Sequence, residues 1–158
     1  MTYKIVTCFD EKKLKKNAFK LLNEFKENWQ PDIEFHCYYY NVDISNYSLP
    51  QADNIKYHKL ENIPEYSTFV EENQKHDGTE EGAVQYTELL DGLSAAPEVF
   101  AITECGFENK GCWLLWVDPM CLTVKDIRTS TLDNYFPDSV YNVDFVYTPE
   151  TSYLMAFN

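Results

Sequence analysis

Two hydrophobic runs of the sequence each end in an aspartate, one at Asp10 and one at Asp118. Asp10 follows residues 3–9, and Asp118 follows residues 112–117. Open α/β sheets bind their ligands just outside the carboxyl ends of parallel strands. A carboxylate in that place can contact a ligand, or it can accept hydrogen bonds from backbone N–H groups of the next turn. Both interpretations of Asp118 stay open, and Pro119 ends the strand in either case.

Motifs for several common catalytic and cofactor sites do not occur in the sequence. With only five glycines, the chain has neither a GxGxxG dinucleotide fingerprint nor a GxxxxGK[ST] phosphate loop. His36, His58 and His76 lack the HxxxH or CxxC spacing of zinc sites, and no GxSxG nucleophile elbow is present. Two pairs of acids, Asp126 with Asp133 or Glu80 with Glu81, have the residue types for glycoside cleavage. Both pairs lie in polar segments, which favours a solvated surface instead.

The first half of the chain alternates patterns typical of strands and helices. Residues 3–9 form a β-branched and aromatic run, and residues 10–29 repeat apolar side chains every three or four positions. Asp10 is the predicted N-cap of this helix, and Pro31 ends it. Further strands are predicted at residues 33–42 and 55–60, and a second long helix begins at Pro64.

The second half predicts the centre of the sheet. Helical patterns over residues 83–107 are broken near Gly92 and Pro97. The run before Asp118 is apolar on both faces, as in a strand of a parallel sheet covered by helices. A short helix near residues 132–136 and strands within residues 140–147 and 151–158 follow. This order predicts a single α/β domain over residues 1–158, with a mixed, mainly parallel sheet flanked by helices.

Composition narrows the class of protein. A chain of 158 residues buries roughly 70% of its unfolded surface, and 44% hydrophobic residues exclude a disordered chain. The five cysteines favour reduced thiols in the cytoplasm, and no apolar stretch reaches the roughly 18 residues of a membrane span. A formal charge of −13 argues against direct binding of nucleic acid, which depends on lysine and arginine. We therefore expect a cytoplasmic protein without a membrane or nucleic-acid partner.

The charge is concentrated in the middle of the chain. Between Glu61 and Glu108, twelve acidic residues stand against a single lysine, Lys75. One interpretation is a solvated acidic surface. The other is an electrostatic contact with a basic partner protein. The sequence leaves both possibilities open.

The segments also resemble, in order and spacing, the GT-A-fold glycosyltransferase-like proteins of bacteriophages and some bacteria. The resemblance covers nearly the whole chain and depends on YKIVTCF, DIEFHCYYYN, VFAITECG, CWLLWVDPMCLTVKDI and PETSYLMAFN. It implies the N-terminal half of such a protein, because the family continues past the segment that ends at Asn158 into an acceptor-binding half that this sequence does not include. It further implies a phage-encoded, nucleotide-sugar-binding protein in the host cytoplasm.

The resemblance assigns roles to particular residues. Thr7, Cys8 and Phe9 would face the nucleotide, and Asp118 would be the first acid of a DxD motif that holds Mn²⁺ or Mg²⁺ against the diphosphate. Met120 replaces the second acid of that motif.

A second departure is Glu98, which stands where the family has a basic residue suited to the diphosphate, so phosphate would be repelled. The expected function is therefore a glycosyltransferase-like, nucleotide-sugar-binding module with a degenerate active site. The alternative is a non-enzymatic acidic protein that binds a basic surface of a host protein.

Overall fold

A six-stranded sheet forms the centre of the computed structural model, which describes residues 2–73, 92–123, 125–136, 145–147 and 154–157. The strands are β1 (Tyr3–Phe9), β2 (Glu34–Tyr39), β3 (Ile55–Lys59), β4 (Trp113–Val117), β5 (Phe145–Tyr147) and β6 (Leu154–Phe157). They lie in the order β3–β2–β1–β4–β6–β5. The first four are parallel, whereas β6 pairs antiparallel with both β4 and β5. The predicted α/β class and mixed, mainly parallel sheet are thus confirmed.

The first helical segment begins at its predicted cap. The Asp10 side chain accepts a hydrogen bond from the backbone N–H of Lys13 at 2.7 Å, as an N-cap does. The segment continues without interruption to Asn28 through a π-helical turn that the apolar periodicity did not predict. It comprises α1 (Glu11–Lys13), the π-helical turn (Leu14–Ala18) and α2 (Phe19–Asn28).

The other α-helices among the described residues are α3 (Pro64–Asn73), α4 (Gly92–Glu108) and α5 (Thr129–Asp133). The predicted break at Pro97 is wrong, because α4 runs through that residue. Proline removes one backbone N–H from the second turn, and the packing of this helix against the sheet offsets that loss. The helical pattern predicted over residues 83–91 lies outside the described residues. No helix in the described part of the chain is both long and apolar enough to cross a membrane.

Two hydrophobic cores cover the two faces of the sheet. One contains the apolar side of α2, including Leu22 and Phe25, and the ring centroid of Phe25 lies 4.5 Å from that of Phe35 of β2. The other lies under α3 and α4 and includes Trp116 of β4. All five residues of β4 are buried, as predicted for a strand covered on both faces.

The strand order reverses between β1 and β4. From β1 the chain proceeds outward to β2 and β3, and it then returns to the opposite side of β1 to form β4. Such a reversal is a topological switch point, where the loops after two adjacent parallel strands diverge and leave room for a ligand. A binding site is therefore expected at the residues that follow β1 and β4.

Candidate functional site

The switch-point site is defined here by Asp10, Lys13, Glu98, Asp118 and Met120. Asp10 and Asp118 directly follow β1 and β4, which places both carboxylates at the same edge of the sheet. Lys13 ends α1, and Glu98 lies in the second turn of α4, the helix that precedes β4. The site therefore combines residues separated by more than one hundred positions in the sequence.

An ion pair joins the two helices at this site. Lys13 Nζ lies 3.0 Å from Glu98 Oε1, and the side chains are 31% and 34% exposed. Burial alone would lower the pKa of Lys13, but the hydrogen bond and charge of Glu98, with the charge of Asp118, raise it above its usual value. The Lys13 ammonium is thus firmly charged. Sequence reasoning missed Lys13, which the helical pattern marks only as a polar position.

Asp118 serves the turn that ends β4. Its Oδ1 accepts a hydrogen bond from the backbone N–H of Met120 at 2.7 Å. Its carbonyl oxygen accepts one from the backbone N–H of Cys121 at 2.9 Å, with Pro119 at the second position of the turn. The Asp118 side chain therefore accepts a backbone N–H of the following turn, as one of the two interpretations predicted. Its second carboxylate oxygen can still contact a ligand.

The donor groups at the site fit a divalent cation poorly. The Met120 sulfur accepts a hydrogen bond from Asn17 Nδ2 at 3.1 Å, and a thioether is a weak ligand for Mn²⁺ or Mg²⁺ in any case. Asp10 Oδ1 is engaged in its helix cap. No group of three or more histidine, cysteine or acidic side chains suited to a metal occurs among the residues that the structure describes.

Thr7, Cys8 and Phe9 are fully buried at the end of β1. Burial raises the pKa of the Cys8 thiol far above its usual value, so the thiol stays protonated. Thr7 Oγ1 is buried without a hydrogen-bond partner in the described part of the molecule. The side chains of these three residues lie inside the protein, and their contact with a nucleotide stays a prediction.

The loop after β2 borders the switch-point site. Asn41 has a positive φ of 50°, and Glu61 Oε1 accepts its backbone N–H at 2.8 Å. Burial raises the pKa of Tyr40, and the carboxylates of Asp10 and Glu98 add to this effect. Tyr40 is therefore a neutral phenol within electrostatic reach of the site.

A second titratable cluster lies on the sheet face under α4. His36 Nδ1 of β2 is 3.2 Å from His58 Nε2 of β3, and the two rings stack with centroids 5.2 Å apart. His36 Nε2 lies 3.3 Å from Glu34, which also accepts a hydrogen bond from Lys4 of β1. Sequence reasoning placed both histidines in strands but missed their contact, because it depends on the register between β2 and β3.

In the part of the chain that the structure describes, two open surface depressions lie away from the switch-point site. One of about 410 Å³ is lined by residues 27–31 and 126–128. The other, of about 430 Å³, lies between the end of α4 and the start of β4 and includes Phe107 and Cys112. Neither includes a residue of the switch-point site.

Comparisons with known proteins do not assign the chain to a family. No protein-family model matches the sequence, and no curated protein matches it. A functional proposal for this chain therefore rests on its own residues and on the geometry of the switch-point site.

Proposed function

We propose that the chain binds a nucleotide-diphospho-sugar at the switch-point site. The observation that carries this proposal is the reversal of strand order between β1 and β4, which gathers polar residues from four elements at one edge of the sheet. The residues assigned to a nucleotide by the GT-A-like resemblance, Thr7 to Phe9, end at this same edge.

Lys13 supplies the cation that a diphosphate requires. The sequence alone suggested that Glu98 would repel phosphate, but its carboxylate is paired with Lys13 at 3.0 Å. The negative charge of Glu98 is therefore balanced locally. A lysine ammonium is a point charge with three donors, which suits phosphate oxygens approaching from several directions.

We propose binding alone and not metal-dependent sugar transfer. Mg²⁺ and Mn²⁺ prefer several oxygen ligands in near-octahedral geometry. At the switch-point site the Oδ1 atoms of Asp10 and Asp118 each accept a backbone N–H and Glu98 is paired with Lys13. The remaining group, the thioether of Met120, is a weak ligand for these ions. In the proposed complex a protein cation, Lys13, contacts the diphosphate in place of a metal ion.

Binding of a sugar nucleotide is expected to stabilise the protein without help from a metal. In a panel of UDP-, GDP- and dTDP-sugars, at least one is expected to add about 2.7 kcal/mol to the free energy of unfolding at 100 times its Kd. Added Mn²⁺ is expected to change neither this value nor the Kd. Thermal unfolding and titration calorimetry, each with Mn²⁺ or with EDTA, measure both quantities.

A CMP-sugar serves as the control, because it has a monophosphate in place of the diphosphate. No stabilisation by any member of the panel would contradict the proposed function. An affinity that depends on Mn²⁺ and is lost in Asp118→Asn would show instead that the DxD-like position still holds a metal.

We propose, as a second candidate function, that the acidic region, defined as residues 61–108, binds a basic protein surface. The observation that favours it is the exposure of Glu65, Glu71 and Glu72 on α3, for which no ion pair is seen within the described residues. Five further acids of this region lie outside the described residues, namely Asp77, Glu80, Glu81, Glu88 and Asp91.

The charge of α3 is expected to steer a basic probe. We expect an oligolysine peptide to associate more slowly with the triple variant Glu65→Gln, Glu71→Gln, Glu72→Gln than with the wild type at 0.1 M salt. The difference is expected to vanish at 1 M salt, where the Debye length falls from about 10 Å to about 3 Å. Stopped-flow fluorescence measures the rates.

The matched control replaces three exposed acids elsewhere, Glu27, Asp53 and Asp126, by their amides. Both triple variants have the same net charge. Equal rates for the two would assign the effect to total charge and would contradict a binding surface on α3.

A further inference from the structure

We propose that Glu98 competes with the diphosphate of the ligand for Lys13, so that binding exchanges one ion pair for another. In the free protein the Glu98 carboxylate is paired with the Lys13 ammonium. In the complex a phosphate oxygen of the ligand is paired with this ammonium instead of Glu98. This inference rests on the proposed function, because it assigns the diphosphate to the switch-point site. It identifies Lys13 as the binding cation and Glu98 as the residue that sets the affinity.

The Lys13–Glu98 pair lies where a ligand can reach it. Both side chains are about one-third exposed, and their heavy-atom contact of 3.0 Å joins a helix after β1 to the helix before β4. The pair thus spans the two sides of the switch point. A ligand entering between the two helices meets this ion pair, and an ion pair open to water exchanges partners at low cost.

The Lys13 side chain can change partner without movement of its backbone. The backbone N–H of Lys13 is held by Asp10 Oδ1 at 2.7 Å, and the next residue, Leu14, is fully buried. Its side chain is a flexible four-carbon stem ending in the ammonium. Rotation of that stem is sufficient to move the Lys13 ammonium from Glu98 to a ligand within the same site.

The charges around Lys13 set the direction of the expected effect. Glu98 is in contact with the ammonium, and Asp118 acts on it through space. A diphosphate brings at least two further negative charges to this place. Replacing Glu98 by glutamine therefore frees Lys13 and removes a like charge, and both changes favour the ligand.

The test measures the Kd of UDP and of inorganic pyrophosphate by titration calorimetry. We expect Glu98→Gln to bind UDP at least tenfold more tightly than the wild type, and Lys13→Met to bind it at least tenfold more weakly. Lys13→Arg is expected to retain binding, since it keeps the charge. Glu104→Gln on the same helix and Lys12→Met beside Lys13 are the matched controls, and both are expected to leave the Kd unchanged.

A purely structural ion pair gives a different pattern. Both Glu98→Gln and Lys13→Met would then change the melting temperature by similar small amounts and leave the Kd for UDP equal to that of the wild type. That result would overturn the competition while the proposed function stands. Circular dichroism melting of each variant verifies that the fold is kept.

The two proposals fail in distinguishable ways. If neither the wild type nor Glu98→Gln binds UDP or pyrophosphate, the competition is overturned. The proposed function is overturned as well only if no sugar nucleotide of the panel stabilises the wild type. If pyrophosphate binds Glu98→Gln as tightly as UDP does, the competition for Lys13 is supported and recognition of a nucleoside is overturned.

Discussion

Replacing Trp116 by alanine is expected to lower the free energy of unfolding by about 3–5 kcal/mol. Trp116 is only 1% exposed and lies in the core under α3 and α4. It pairs with Val6 of β1 on one side and Met155 of β6 on the other. Its removal therefore leaves a large cavity at the junction of the parallel and antiparallel parts of the sheet.

Such a loss is a large fraction of the roughly 5–15 kcal/mol that stabilises a domain of this kind. Urea denaturation monitored by circular dichroism measures it. Tyr135→Ala is the control, because Tyr135 is 73% exposed and its loss is expected to change stability by less than about 0.5 kcal/mol. A cost below about 1 kcal/mol for Trp116→Ala would mean that β4 is not the packed centre of the sheet.

The strands and helices of the first half could be predicted from local patterns. Residues 3–9 were predicted as a strand and form β1, and Asp10 was predicted as the helix cap and accepts the expected hydrogen bond. These features depend on neighbours in the sequence, since alternation and capping act over a few residues. The same reasoning was wrong at Pro97, where it predicted a break. Proline disfavours a helix locally, but α4 packs against the sheet and continues past this residue.

The contacts of the candidate site could not be predicted in the same way. Lys13 and Glu98 are 85 positions apart, and they meet only because β4 returns to the side of β1 opposite β2. From the sequence, Glu98 was interpreted as an unbalanced negative charge, because its pairing with Lys13 could not be predicted. The position of Asp118 at the end of the strand was predicted, since it follows directly from the apolar run before it.

Stability is expected to fall as the pH is lowered from 7 to 5, and the histidine pair is the cause. Burial lowers the pKa of His36, and the charge of His58 lowers it further, whereas Glu34 acts in the opposite direction. Burial also lowers the pKa of His58, against a raising effect of Glu108 and a lowering effect of Lys56. Both imidazoles therefore resist protonation in the folded protein.

The sign of the effect follows from linkage. The unfolded chain binds protons at its histidines near pH 6.5, where the folded protein does not yet bind them. Stability is thus full above about pH 6.5 and is lost as the pH falls below it. The slope is at most about 1.4 kcal/mol per pH unit for each histidine.

Glu34, whose pKa is lowered chiefly by its hydrogen bond from Lys4, loses its stabilising effect only at pH values below about 4.5.

Urea denaturation at half-unit steps between pH 7 and pH 5 tests this expectation, because the range separates the histidines from the carboxylates. The double variant His36→Gln, His58→Gln is expected to be less stable at pH 7, since the stacking of His58 on Tyr38 is lost, yet to show a much flatter dependence on pH. The slope of the free energy of unfolding against pH, and not its absolute value, identifies the histidine pair as the cause. An equal slope in the wild type and the double variant would assign the pH dependence to other groups and would show that the contact between His36 and His58 has no role in it.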